Sequence, residues 1–110
     1  MLIMETKHIK ASKLFPMNSG HLCLEFSENI DWEVFPEFAS GILKKLNGRV
    51  INKIDTVEMR LWDVVIDRVK LRFVWDDYPY MISLESDSDA GDSLLKKMFE
   101  SLNQNQTTCG

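Results

Sequence analysis

Hydrophobic residues recur at every second position over much of the second half of the chain. Two runs show this period, and their apolar members are Val57, Met59 and Leu61 in the first and Val69, Leu71, Phe73 and Trp75 in the second. Strict alternation is typical of strands that bury one face and leave the other in water. We expect further strands at Val50–Ile54 and around Tyr80–Leu84, joined to these two as an antiparallel meander.

Two other segments repeat with helical spacing. The first carries Phe35, Phe38, Ala39, Ile42, Leu43 and Leu46. Asn47-Gly48 should end this helix, and Pro36 places its regular start at or just before that proline. The second carries Leu94, Leu95, Met98, Phe99 and Leu102. Asp89 or Asp92 should accept hydrogen bonds from the free amides at its start.

One more strand is expected before the first helix, at His21–Ser27, where apolar and polar residues alternate. The predicted order is therefore strand, helix, strands, helix. This order indicates a single α+β domain in which two helices pack on one face of an antiparallel sheet of four to five strands. We expect a flexible N-terminal arm at residues 1–18, the domain at 19–103 and a polar tail at 104–110.

The charge balance narrows the possible partners. Seventeen acids and thirteen bases give a formal net charge of -4. Binding to a phosphate backbone needs clustered Lys and Arg, so direct contact with nucleic acid is not expected. Charged residues follow Met1–Met4 at once, which predicts no secretory signal, and no apolar run is long enough to span a membrane. The expected location is the cytoplasm.

No arrangement of residues predicts catalysis, a metal site or a cofactor. His8 and His21 are the only histidines, and Cys23 and Cys109 have neither zinc-site nor redox spacing. Asp87-Ser88-Asp89-Ala90-Gly91-Asp92 lacks the ligand spacing of a calcium loop, and turn formation and helix capping explain it. A hydrolase using an acidic pair, with Asp76 or Asp63, is the one catalytic alternative. We expect that the protein is not an enzyme.

The acidic residues are concentrated in two stretches without any base. Residues 25–37 hold five acids and residues 76–92 hold six. Helix macrodipoles favour acids near helix starts and account for part of this pattern. They do not account for Asp76-Asp77-Tyr78-Pro79-Tyr80, which joins two strands. Acids beside tyrosines are typical of protein-binding hot spots.

Trp62 is the aromatic residue whose position is least expected. It falls on the strand face of Glu58 and Arg60, where a large ring would be partly exposed unless a helix or a partner covers it. We therefore include Trp62 among the candidate contact residues.

Four short segments together resemble a known family. They are Leu61-Trp62-Asp63-Val64, Leu71 to Pro79, Ile82-Ser83-Leu84-Glu85-Ser86 and Gly91-Asp92-Ser93-Leu94-Leu95. Over residues 20–102 the chain resembles immunity proteins of bacterial contact-dependent growth inhibition systems. The resemblance implies a cytoplasmic antidote that binds the C-terminal toxin domain of its own system. Many such toxins are nucleases, often acting on tRNA, whose basic clefts suit an acidic inhibitor.

The sequence therefore leads to a functional hypothesis with one alternative. The hypothesis is an immunity protein that neutralises a basic toxin domain, as a monomer in a one-to-one complex rather than as a homo-oligomer. The alternative is a small regulatory domain that assembles with itself through an exposed strand or Trp62. The predicted toxin-binding residues are Asp76, Asp77, Tyr78, Tyr80, Glu85, Asp87, Asp89 and Trp62.

Overall fold

A computed structural model describes residues 11–26, 30–77 and 80–107 as a single α+β domain. Its elements are β1 (Ala11–Pro16), β2 (Leu22–Phe26), α1 (Phe35–Lys45), β3 (Arg49–Asp55), β4 (Met59–Ile66), β5 (Val69–Asp77), β6 (Tyr80–Glu85) and α2 (Asp89–Thr107). No helix in these ranges is long and apolar enough to cross a membrane.

The strands form one six-stranded antiparallel sheet in the order β1-β2-β6-β5-β4-β3. Helix α1 connects β2 to the far edge at β3, and the chain then returns strand by strand until β6 lies beside β2. The α+β class, the two helices and the meander are confirmed. The predicted count of four to five strands is wrong, and so is the order, since two strands precede α1.

The extra strand is β1, which lies inside the segment predicted to be a flexible arm. Leu14 is opposite Leu24 in the ladder and packs against the core, whereas Lys13 is opposite Glu25 on the other face. Leu14 faces the core and its neighbour Phe15 faces the other side, so β1 lacks the alternation of apolar and polar residues by which a strand is recognised. At the other end, α2 continues through Thr107, so residues 104–107 are helical rather than part of the predicted tail.

Both helices pack on the same face of the sheet, which we call the core face. A row of side chains crosses this face from β1 to β4: Leu14, Leu24, Leu84, Phe73 and Trp62. Helix α1 adds Phe35, Ala39, Ile42 and Leu43 to the core, and α2 adds Leu95 and Met98. The predicted apolar stripes of both helices are thus confirmed.

The inward face of β4 is the opposite of the one predicted. Trp62 is 2 % exposed and Arg60 is 6 % exposed, while Met59 and Leu61 lie on the outer face. The Arg60 guanidinium stacks 3.6 Å from the centre of the Trp32 ring and pairs with Asp55 at 3.1 Å. A buried, fully partnered arginine looks like a solvent-facing one in a sequence, which is why the alternation was assigned to the wrong face.

The ends of the helices follow local chemistry. Helix α1 begins at Phe35, beside Pro36, as predicted, and the carboxylate of Asp31 accepts a hydrogen bond from the Val34 amide. Gly48 donates to the carbonyl of Leu43 at 2.7 Å, which closes the helix. At the start of α2 the Gly91 amide donates to Ser88 Oγ. Asp92 instead accepts from the Leu22 amide of β2 at 2.8 Å.

Candidate functional site

The second face of the sheet, which we call the open face, has neither described helix packed on it. One row of residues crosses all six strands on this face, in the order Phe15, Cys23, Glu85, Arg72, Asp63 and Asn52. The neighbouring row is Lys13, Glu25, Ser83, Val74, Leu61 and Ile54. Apolar and charged side chains therefore mix on a surface that neither helix covers.

A cavity of about 190 Å³ lies in the open face, over β1, β2, β6 and β5. Its lining residues are Phe15, Met17, Cys23, Val74, Asp76, Met81, Ser83 and Glu85. Two methionines and a phenylalanine give it apolar, adaptable walls, and two carboxylates give it negative charge. The cavity can accept an apolar side chain together with a positive charge.

Cys23 and Ser83 form part of the cavity wall, and each is only 4 % exposed. Burial raises the pKa of the Cys23 thiol, and the hydrogen bond to Ser83 only partly offsets this effect. His21 is bonded elsewhere, since its Nδ1 lies 2.9 Å from Asp92 Oδ2. The thiol is therefore protonated at neutral pH and serves as a small apolar group in this wall.

Glu85, Arg72 and Asp63 lie side by side on three strands of the open face. Arg72 Nε donates to Asp63 Oδ1 at 2.9 Å, and this bond lowers the pKa of Asp63. Burial raises the pKa of Glu85, while the charge of Arg72 acts in the opposite direction. The short bond of Arg72 goes to Asp63, so Glu85 remains a partly desolvated carboxylate that a positive group from a partner would stabilise.

The structure brings only some of the predicted contact residues together. Asp76 and Glu85 both line the cavity, and Asp87 lines a second hollow that shares Glu85 with it. Asp89 is exposed in the first turn of α2. The backbones of Asp77 and Tyr80 pair at the end of the β5–β6 ladder. Tyr78 lies outside the described residues.

Trp62 does not belong to this surface. Its ring makes an edge-to-face contact with Phe35 at 4.9 Å between centroids, and its Nε1 donates to Asp55 Oδ1 at 2.8 Å. Trp62 is 2 % exposed because α1 covers it, which is the first of the two coverings that the sequence allowed, so it is not available as a contact residue. The residues that sequence reasoning missed are Phe15, Met17, Cys23 and Met81, whose shared location depends on strand pairing.

One group of possible metal ligands is present in the part of the chain that the structure describes. Ligand atoms of His21, Asp89 and Asp92 lie within 4.8 Å of one another. The hydrogen bond from His21 and the bond from the Leu22 amide lower the pKa of Asp92 to about 2. Asp92 thus already has two partners, and it fastens the start of β2 to the start of α2.

Comparison with known proteins places the chain in a family. No curated protein and no solved structure gives a significant match. The family model for DUF3630, described as a protein of unknown function, matches residues 13–104. This match begins in β1 and ends in α2, so it includes the strands that build the open-face cavity. The chain therefore belongs to the DUF3630 family.

Proposed function

We propose that this protein binds another protein through the open face of its sheet, and that the partner is a basic toxin domain which it neutralises as an immunity protein. The observation that carries the proposal is the cavity that groups Phe15, Met17 and Met81 with Asp76 and Glu85. This grouping lies on a sheet face that neither α1 nor α2 covers.

The composition of the cavity suits a protein partner. Protein interfaces combine an apolar centre with a polar or charged rim, and methionine adapts its shape to the group that it contacts. A long basic side chain matches both requirements. Its methylene groups would lie against Met17 and Met81, and its charged end would reach Asp76 or Glu85.

The charge of the surface favours a basic partner. Asp76 and Glu85 lie in the cavity, Asp87 borders the adjoining hollow, and Asp89 follows at the start of α2. Lys70 and Arg72 line the adjoining hollow too, and Arg72 is already bonded to Asp63. Opposite charges on two surfaces accelerate association to about 10⁸–10⁹ M⁻¹s⁻¹ at low salt. Rapid capture would serve an antidote that competes with the substrate of a toxin.

The identity of the partner rests on the sequence resemblance described above and on the net charge of -4. A nuclease cleft is basic because it binds phosphates, so an acidic face would compete for the same site or lie beside it. In this proposal the protein acts in the bacterial cytoplasm, without catalysis or a cofactor, and Asp77, Tyr78 and Tyr80 are further contact residues. A self-assembling domain is the second candidate, favoured by the exposed edge of β3.

The test uses two variants with the same charge change. Asp76→Lys with Asp87→Lys adds two units at each site, which takes the formal net charge from -4 to 0. Glu33→Lys with Glu100→Lys makes the same change at exposed acids away from the cavity lining. Binding is measured by titration calorimetry against basic domains expressed from the adjacent reading frames, at low and moderate salt, and inhibition of any toxic activity is assayed in parallel.

We expect the cavity variant to lose at least tenfold in affinity and most of its inhibition, with a folded circular dichroism spectrum. The control variant should lose only the part of the affinity that depends on net charge, and added salt should remove that difference. Equal losses in the two variants would exclude the open face as the binding site. Failure of the wild type to bind any such domain would reject the toxin as the partner.

A further inference from the structure

The edge of the sheet formed by β3 has no partner strand among the described residues. β3 is the last strand in the sheet order, and residues 51–58 are all exposed. Three apolar side chains are concentrated there: Ile51 is 47 % exposed, Ile54 46 % and Val57 87 %. A strand edge with exposed apolar residues is a surface to which another strand can pair.

The backbone of β3 offers hydrogen-bonding groups in a defined pattern. The Thr56 amide donates to the Met59 carbonyl at 2.8 Å, which makes these two residues a hydrogen-bonded pair. Such pairs alternate with non-bonded pairs along an antiparallel ladder. Asp55 lies opposite Arg60 and Lys53 opposite Trp62. The N–H and C=O groups of Lys53 and Asp55 therefore point away from β4, toward the open edge.

We propose that two copies of this chain associate through antiparallel pairing of their β3 strands. The two-fold axis lies between Ile54 of one copy and Ile54 of the other. In this register Lys53 of one copy lies opposite Asp55 of the other, and the relation occurs twice. Both residues project from the core face, because their partners Trp62 and Arg60 do so. Each such pair forms two backbone hydrogen bonds and brings side chains of opposite charge together. Within each copy Asp55 Oδ1 already accepts from Arg60 and Trp62, and Lys53 Nζ lies 4.3 Å from the centre of the Trp62 ring, so the added attraction between the charges is small.

The same register brings the exposed Ile54 side chains together. Ile54 meets Ile54 of the second copy at a non-hydrogen-bonded position, where side chains approach most closely. Ile54 is 46 % exposed in the single chain, and this contact covers it. Ile51 lies at the irregularity of β3, and Val57 lies in the turn that follows the strand, so neither is part of this pairing.

Other two-fold registers are less favourable for physical reasons. An axis through Lys53 places two lysines opposite each other, and an axis through Asp55 places two aspartates opposite each other. An axis through Asn52 sets Ile54 against Val50. These two residues project from opposite faces, since the irregularity between Val50 and Asn52 reverses the alternation. Lysine on an edge strand usually opposes pairing, but the Ile54 register sets Lys53 opposite an acid rather than opposite a second lysine.

This dimer is independent of the proposed function and compatible with it. The cavity of the open face is built from β1, β2, β5 and β6, and β4 separates these strands from β3. A dimer would therefore bind two partners, giving a two-to-two complex in place of the one-to-one complex expected from the sequence. The contact involves short strands, so we expect a weak dimer with a dissociation constant of about 10–100 µM.

Sedimentation velocity of the full chain over about 5–500 µM tests the association. The wild type should shift from monomer to dimer across this range. Ile54→Lys, which places two like charges on the axis, should remain a monomer throughout. Val34→Lys, at a residue of similar exposure outside β3, should behave as the wild type does. A wild type that stays monomeric at the highest concentration overturns the proposal.

Disulfide crosslinking tests the register, in a Cys109→Ser background that leaves only the buried Cys23. Ile54→Cys should form a crosslinked dimer with itself on mild oxidation, because the two Cα atoms face each other at bonding distance. Ile51→Cys, three residues from the axis, should not crosslink with itself. Self-crosslinking of Ile51→Cys as efficient as that of Ile54→Cys would overturn the register.

Discussion

Phe35 joins the first helix to the sheet, and its removal provides the sharpest test of how the core is held together. The side chain is fully buried, and it makes edge-to-face contacts with Trp62 at 4.9 Å and with Phe73 at 5.8 Å. Phe35→Ala leaves a cavity between α1 and the centre of the sheet. We expect the free energy of unfolding to fall by about 3–5 kcal/mol.

The size of this loss can be compared within the same helix. Phe38 is only partly buried and has one edge-to-face contact, with Phe26 at 5.7 Å. Phe38→Ala should cost about half as much as Phe35→Ala, because less area and one aromatic pair are lost. Since a domain of this size has about 5–15 kcal/mol of stability, the Phe35 variant should be close to the limit of folding.

Urea denaturation followed by tryptophan fluorescence and by circular dichroism measures both variants. With an m-value of about 1.5 kcal/mol/M, a loss of about 4 kcal/mol lowers the midpoint by roughly 2–3 M urea. The midpoint of Phe38→Ala should fall by about half that amount. A Phe35 variant no less stable than the Phe38 variant would refute the idea that Phe35 is the principal contact between α1 and the sheet.

Two further predictions concern the start of α2 and the glycines. The bond to Asp92 raises the pKa of His21 above 6.5. The contribution of His21 to stability is therefore full below pH 6.5 and is lost as the pH rises through the raised pKa. The contribution of Asp92 is present above pH 3.8 and is lost as the pH falls toward its lowered pKa of about 2. The difference in urea midpoint between the wild type and His21→Ala should therefore be largest near pH 5. A difference that increases toward alkaline pH would contradict this. In Gly91→Ala the new methyl group would overlap the buried Ser86, which should lower the free energy of unfolding by about 1–3 kcal/mol. In Gly41→Ala the new methyl group meets nothing within 4 Å, and the substitution should stabilise α1 by about 0.5–1 kcal/mol. Thermal melts compare the two, and equal shifts would contradict the packing at Gly91.

The two helices show how much local pattern can specify. The spacing of Phe35, Ala39 and Ile42 predicted which face of α1 would be buried, and Pro36 and Gly48 predicted where the helix begins and ends. These features depend on residues close together in the chain, whose geometry is set by the helical period and by backbone chemistry. The number of helices and the antiparallel meander followed from the same reasoning.

The face of β4 and the existence of β1 could not be predicted in this way. Arg60 points inward because Trp32, 28 residues earlier in the chain, provides a ring for its guanidinium and Asp55, on the neighbouring strand β3, provides a carboxylate. β1 forms because β2 offers it an edge. The sequence around Arg60 does not show which residues will contact its guanidinium, and the sequence of β1 does not show that β2 will lie beside it.

The sequence by itself determined the α+β class, the two amphipathic helices and the acidic character of the 76–92 segment, since each depends on residue type and short-range period. Only the tertiary structure decided that Trp62 is buried and that Asp76 and Glu85 share a cavity with Phe15 and Met17. It also left the edge of β3 without a partner in the described sheet. These features depend on which strands become neighbours, and pairing between distant segments is fixed by the packing of the whole core rather than by any one stretch of chain.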